Sequence, residues 1–568
     1  MPMRLRREYP KLLLASAALL APVPAAAQSV APSREELTRI TAPPPEARPT
    51  LNIVGGVERS PCPLADPRFA DVKVTIREVV FNGLKGASPD EMRSTWAPFA
   101  GSEQPVAVLC EIRDAAATLL RNKGYLAAVQ VPTQRIENGV VRMETLYARI
   151  TTVRARGQTD GAEVKLAAYL NKLTEDEYFD REKAERYLLL ARDLPGYNVQ
   201  LTLKPAGTGP GELVGEVAVL RRRYSLDATV QNLAADETGR WGGQLRAQLY
   251  GLTGLGDVTS LAFYSTPDFK EQKILQAAHS FRPGGEGLTI DSQFTYAWTR
   301  PDIDDDPITP AIKARTLYWS LGARYPFVRS QSSNLWGGIG FDFVDQKVHF
   351  FEPLSRDKLR VLWLRGDWDA IDLTSRRPAW KSNAFVELRK GLDILGATDG
   401  DEAIGPSRED GDASATVIRV GGQGELALGR DISVAVSPRA QIAFDPVLAF
   451  EEFTAGNYTV GRGYDPSTLS GDSGVGLSAE IRGPRLMPIK RSKLTVQPYV
   501  FGDAAWVWNK NDGLGSDRLT SAGGGIRAEL SDRLRLDTSL AVPLEKTGFD
   551  NRKGDVRLLV TLTGRILP

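Results

Sequence analysis

The stretch DISVAVSPRAQIAF, Asp431 to Phe444, reads as a strand with two unlike faces. Ile432, Val434, Val436, Ala440, Ile442 and Phe444 fall on one face of a strand, and Ser433, Ser437, Arg439 and Gln441 on the other, because side chains alternate across a strand. Leu534, Leu536, Thr538, Leu540 and Val542 repeat the pattern against Arg533, Arg535, Asp537 and Ser539. In a soluble sandwich the apolar face is the inner one. In a membrane barrel it meets lipid, and arginine and aspartate line the lumen. The connections favour the barrel. About sixteen strands run from Tyr224 onward, an even number, with links that alternate short and long. Gly429-Arg430-Asp431 and Ser531-Asp532 are short turns, whereas Gly391 to Asp412 and Asp445 to Gly474 are long loops. Strands of about nine residues or more suit a bilayer crossing.

Upstream of Tyr224 the periodicity is different. Val74, Ile76 and Val79-Val80-Phe81 predict a strand, and Ser88-Pro89-Asp90-Glu91 opens a helix with Ser88 as cap and Pro89 at its first position. Ile112, Ala115-Ala116, Leu119 and Leu120 recur at helical spacing before Gly124, and strands at Leu126 to Val131 and Val140 to Leu146 flank the Asn138-Gly139 turn. A second unit follows the same plan, with a strand at Ile150 to Val153 and a helix at Val164 to Leu173. Asp180 caps a further helix, and Val199 to Leu203 pairs with Leu213 to Leu220. Each β-α-α-β-β unit has open strand edges suited to an extended chain.

The first residues read as a secretion signal. Arg4, Arg6, Arg7 and Lys11 precede the apolar Leu12 to Leu20, and Ala25-Ala26-Ala27 offers a small-residue cleavage site, so residues 1–27 are expected to be removed. Residues 28–71 read as a linker rich in proline, in which Ser33-x-x-Glu36 caps a short helix that Pro43-Pro44-Pro45 ends. Cys62 and Cys110 are the only cysteines, and in an exported protein they are expected to form one disulfide across about 48 residues. The chain is 25% charged with a net charge of +1, which gives no footing for nucleic acid. His279 and His349 are the only histidines and have no metal-ligand spacing. Neither a phosphate-cradling loop nor a nucleophile elbow occurs, so no enzyme, metal or cofactor is expected.

Two short segments carry the mechanism. Val460-Gly461-Arg462-Gly463-Tyr464-Asp465 lies in what this strand count makes the sixth outer loop, and its glycines permit a close-packed tip around Arg462. Phe501-Gly502-Asp503 lies in a strand, Lys493 to Val507, whose alternation turns Thr495, Gln497, Tyr499, Phe501 and Asp503 into the lumen. An arginine on a loop and an aspartate on an inner wall can form a charge-assisted, bidentate pair that tucks the loop into the pore. Alone, such an aspartate is most often a solvated pore residue.

With these segments in hand, the chain resembles the two-partner secretion transporters, the haemolysin-secretion and filamentous-haemagglutinin transporter family. The resemblance runs through Tyr125-Leu126, Val131-Pro132-Thr133-Gln134 and Asn138-Gly139-Val140-Val141-Arg142, then Glu185-Arg186 and Leu194-Pro195-Gly196, and finally Gly461-Arg462-Gly463-Tyr464 and Phe501-Gly502-Asp503. It implies a mainly β protein: a 16-stranded transmembrane β-barrel preceded by two small α/β POTRA domains. The expected layout is POTRA domain 1 at 72–149, POTRA domain 2 at 150–222 and the barrel at 223–568, with loop 445–474 folded inward. It implies that Arg462 contacts Asp503 inside the pore and that the helix from Ser33 to Ile40 is a short version of the family's plug. Two departures stand out: Tyr147-Ala148 replaces the Glu-Gly that usually ends the first POTRA domain, and the chain ends Gly564-Arg565-Ile566-Leu567-Pro568 rather than on an aromatic residue.

The expected function is export of an unfolded exoprotein from the periplasm of a Gram-negative bacterium through an outer-membrane pore. Partners would be that exoprotein, outer-membrane lipid and, during biogenesis, the barrel-assembly machinery, around a monomer. The rival reading is an insertase that assembles other outer-membrane proteins; a passive solute porin leaves the two modules unexplained.

Overall fold

The computed structural model describes residues 31–40, 62–159, 163–208, 211–302, 312–375, 377–399, 403–429, 431–489, 492–511, 515–531, 533–547 and 552–567. The signal sequence, most of the proline-rich linker and residues 303–306 of the acidic outer segment that begins at Asp302 lie outside them.

From Tyr224 to Leu567 sixteen antiparallel strands close into one barrel, the first (Tyr224–Gln231) hydrogen-bonded to the last (Arg557–Leu567). Alternation dictates the two faces. On the eleventh strand, Ser433–Ala443, Val436 and Ile442 point outward while Arg439 and Gln441 face the lumen. Outward leucines such as Leu245, Leu261 and Leu540 remain more than half exposed, a surface that only lipid would cover. Among the described residues no helix is long and apolar enough to cross a membrane.

The links depart from a simple short–long alternation. The sixth, seventh and eighth strands are long, Lys313–Arg329, Ser333–Phe350 and Glu352–Ile371, and the outer link between the last two is Phe351 alone, at a φ of 59°. The hairpin therefore extends the wall instead of making a loop. On the opposite rim, residues 483–493 form a link longer than the turns predicted there.

Two α/β modules precede the barrel. In the first, strands Glu78–Asn82, Val140–Tyr147 and Ala127–Gln130 form a sheet under helix Val108–Asn122. The single strand predicted from Val74 to Phe81 is in fact two. Lys73–Thr75 pairs with Glu103–Pro105 in a separate small sheet, and the chain turns before Glu78. Ser88 and Glu91 close a capping box over Pro89–Arg93. Gln134 accepts from the Arg142 amide at 2.7 Å and donates to its carbonyl at 2.6 Å, so it fastens the Asn138-Gly139 corner. Cys62 and Cys110 are disulfide-bonded, with Cα atoms 6.0 Å apart.

The second module packs helices Glu163–Leu170 and Arg181–Arg192 on strands Arg149–Gly157, Glu212–Arg221 and Tyr197–Pro205 around a core that includes Tyr169, Leu188 and Val217. It docks on the barrel rim. Arg329 grips Asp193 with two hydrogen bonds of 2.6 and 2.7 Å, the Gln331 amide donates to Glu185 at 2.6 Å, and Tyr187 donates to Glu286 at 2.9 Å. Much of the Glu185 to Gly196 stretch is thus contact surface for the barrel. At Gly196, with a φ of 79°, a Cβ would meet the Arg222 carbonyl at 2.5 Å.

Candidate functional site

The lumen is filled, and three elements fill it. The first is helix Arg34–Ile40, capped by the Ser33 hydroxyl accepting from the Glu36 amide at 3.2 Å. The second is the outer loop after strand nine, Trp380–Gly391, and the third is the loop after strand eleven. Leu37, Leu448, Phe450 and Tyr458 pack with wall residues Tyr264, Ile274, Val344 and Leu359 in one buried cluster inside the barrel.

Within the third element, Phe453–Ala455 pairs with Leu469–Gly471 and the Val460 to Asp465 segment forms the tip. Arg462 donates from its amide and Nε to Asp503 Oδ2 at 2.9 and 3.0 Å, and from Nη2 to Asp503 Oδ1 at 2.7 Å. Nη1 reaches Glu480 at 2.7 Å, and the guanidinium lies 3.6 Å from the centre of the Phe501 ring. Glu480 in turn binds Arg527 and Arg482. The Asp503 side chain has 0% exposure.

The neighbours of Arg462 explain the tip's sequence. A Cβ at Gly461 would lie 2.6 Å from Leu519, and one at Gly463 would lie 2.8 Å from the Pro543 backbone nitrogen. Only glycine lets the loop press that closely on the wall. Tyr464 donates to the Thr520 carbonyl at 2.9 Å, and Val460 packs with Phe453 and Val507. Asp465, quoted in the motif but not singled out from the sequence, pairs with Arg557 at 2.8 Å and Arg240 at 3.3 Å. Gly502 differs: a Cβ there meets nothing within 4 Å, so no packing demand accounts for it.

Two further hubs escaped sequence reasoning. Arg389 of strand nine, 2% exposed, holds Glu451 of the third element bidentately at 2.7 and 2.9 Å. It also reaches Asp342 at 2.8 Å and Glu387 at 3.1 Å. Glu387 receives Arg34 of the helix at 3.1 Å, so helix, loop and wall meet in one ion network. Nearer the outer rim, Arg408 binds Asp472 at 2.6 Å and Glu452 at 2.9 Å, while the Val447 and Lys510 amides also donate to Asp472. Burial pushes the Glu452 carboxyl up to about 7 despite Arg408. Alternation would have placed Asp342, Glu387 and Arg389 on inner faces. Their meeting depends on strand stagger and on loop folding, which no local pattern encodes.

This geometry can hold a plug and an inward loop by charge-assisted bonds, and among the described residues no cluster fit for a metal occurs. A closed sixteen-strand barrel with a lipid-facing apolar surface and α/β modules on one rim defines an outer-membrane barrel with periplasmic modules. Comparison with known proteins then narrows the class. Residues 371–528 match the family model described as "Haemolysin secretion/activation protein ShlB/FhaC/HecB", and residues 74–146 match "POTRA domain, ShlB-type". Both models describe the family that the sequence motifs resemble.

Among curated proteins, the heme/hemopexin transporter protein HuxB of Haemophilus influenzae is 24% identical over 230 residues, which cover 39% of this chain and 40% of HuxB. The match thus spans less than half of that relative. Among solved structures, CdiB from Escherichia coli superposes with a TM-score of 0.72 at 17% identity over 90% of this chain and 94% of that one. BamA from Haemophilus ducreyi superposes with a TM-score of 0.52 at 14% identity, over 87% and 100% of the respective chains. These two likenesses establish the fold alone.

Proposed function

We propose that this chain exports an unfolded exoprotein from the periplasm to the cell surface through its barrel. The observation that carries the reading is what fills the lumen. Helix Arg34–Ile40 occupies it through side-chain contacts to wall and loop and has no strand partner, so it can leave without opening the barrel wall. The client reaches the rim beside the modules, whose sheet edges accept an extended chain. No nucleotide motif occurs, and folding of the client outside supplies direction, since a folded product cannot slide back. The Arg462–Asp503 pair acts as the lock that keeps the loop in its working position.

The test is export of a co-expressed candidate exoprotein by wild-type, Arg462→Ala and Asp503→Ala chains, with barrel assembly checked by heat-modifiable mobility. Lost product with an intact barrel supports both pore and lock. Unchanged export by both variants removes the lock. No export by wild type, together with failed assembly of other barrels on depletion, replaces the pore with an insertase.

A further inference from the structure

The cradle under the helix is electrically lopsided. Arg34 and Glu35 each pair with the wall, Arg34 with Glu387 at 3.1 Å and Glu35 with Arg439 at 3.3 Å. Remove the helix and the two wall residues fare differently. Glu387 keeps Arg389 at 3.1 Å and Arg365 at 2.8 Å, so its charge stays compensated. Arg439 keeps no carboxylate, for among the described residues Glu35 is the only acid paired with it. Its neighbours across the sheet are Gly421 and Gly476, neither with a side chain to fold over it, and its guanidinium lies 4.6 Å from the centre of the Phe453 ring. That ring holds the fork in place.

The helix itself fits the cradle imperfectly. Arg34 Nη1 and Glu35 Oε2 are buried and make no hydrogen bond with the protein, whereas Arg389 uses all three of its side-chain nitrogens. A buried polar atom without a partner weakens the bound state. The helix therefore sits as a replaceable occupant beside a fully bonded hub.

We infer that Arg439 is a carboxylate-binding subsite on the path of the exported chain, which Glu35 occupies while the pore rests. Aspartate and glutamate side chains of the moving polypeptide take the place of Glu35 in turn. Each makes a charge-assisted bond strong enough to register and weak enough to break, as the incomplete contact with Glu35 is. The inference rests on the export reading and adds to it a chemical preference inside the lumen.

Planar-bilayer recording with the full chain tests it. The helix is loosened by Arg34→Ala, Glu35→Ala and Leu37→Ala together, and the probe is an unstructured Gly-Ser peptide bearing glutamates or, as control, glutamines. The expected result is blockade by the glutamate peptide at about tenfold lower concentration, the ratio that ~1.4 kcal/mol gives. Adding Arg439→Gln should erase that ratio, and Arg439→Lys, which keeps the charge if not the fork, should retain part of it. Equal blockade by the two peptides overturns the inference, and so does a preference that survives Arg439→Gln. A pore that stays closed to both peptides after the triple substitution overturns it too, because departure of the helix would then free no path past Arg439. Export in cells is scored separately with the same chains. Normal export without a glutamate preference refutes the subsite alone, and a glutamate-selective pore that exports nothing refutes the export reading alone.

Discussion

Arg462 and Asp503 form a pair in which the two partners should not be equally costly to remove. Truncating Arg462 to alanine leaves Asp503, at 0% side-chain exposure, with the amide of residue 462 and the Ser521 hydroxyl at 3.3 Å. A buried carboxylate stripped of its cation costs about 3–5 kcal/mol. Truncating Asp503 instead leaves Arg462 with Glu480 at 2.7 Å and the Phe501 ring, and with 18% of its side chain exposed. The loss is then that of a few charge-assisted bonds, about 1–3 kcal/mol. Glu480 is no casualty in either case, since Arg482 and Arg527 remain bound to it. The gap of about 2 kcal/mol corresponds to a factor of roughly 30 in the fraction of molecules whose loop has come away. Limited proteolysis of the sixth outer loop in assembled barrels reads that fraction directly when opening is fast relative to cleavage. Arg462→Ala should be cut many-fold faster than Asp503→Ala, and the double variant should fall short of the summed effects by more than about 0.5 kcal/mol. Cleavage of Asp503→Ala at the same rate or faster would overturn this ranking, because Asp503 would then be carrying the loop without needing its arginine.

Three more expectations follow from named contacts. Gly463→Ala should destabilise the inward loop by about 1–3 kcal/mol through overpacking against Pro543 and Ser521, while Gly502→Ala, facing open space, should shift it by less than about 0.5 kcal/mol; melting of the heat-modifiable form compares the two. Asp193→Ala should weaken docking of the second module by about 2 kcal/mol, since Arg329 loses both short bonds, and hydrogen exchange in helix Arg181–Arg192 should rise while exchange in the barrel strands does not. Glu452 brings a pH dependence. Its carboxyl, pushed up to about 7 by burial from an ordinary value of 4.5, holds its proton in the folded loop but not in the unfolded one between those values. The loop is therefore tightest toward the acid end of that window and loosens as pH rises through 7, and Glu452→Gln should flatten the pH profile of loop proteolysis.

How much of this could be seen in the chain itself varied with the range of the interaction. Alternation over Asp431 to Phe444 needs only a period of two, and it placed Arg439 and Gln441 in the lumen correctly. The Ser33 cap was equally local, but the destination of its helix was not: Leu37 packs with Tyr264 and Ile274, paired across one hairpin, and with Tyr458, from a distant loop. The outer link at Phe351 broke the expected rhythm because the two long strands run on until a single residue turns between them. Arg389, Asp342 and Glu451 lie far apart in the sequence and meet only once the barrel has closed and the loop has folded back. The signal that could have flagged them is chemical, namely charged residues of both signs, Asp342, Glu387 and Arg389, at inward strand positions.

Passage of a polypeptide through the lumen is tested most directly by neighbouring residues with opposite orientation. On the fifth strand, Thr289–Thr299, Gln293 turns inward and bonds Thr295, while Phe294 faces out and is 38% exposed. A photo-reactive residue at each position, in cells exporting the exoprotein, should crosslink the client in transit from position 293 and not from 294. Crosslinks from 294 alone, or from neither position while the exoprotein still reaches the surface, would rule out passage through the lumen.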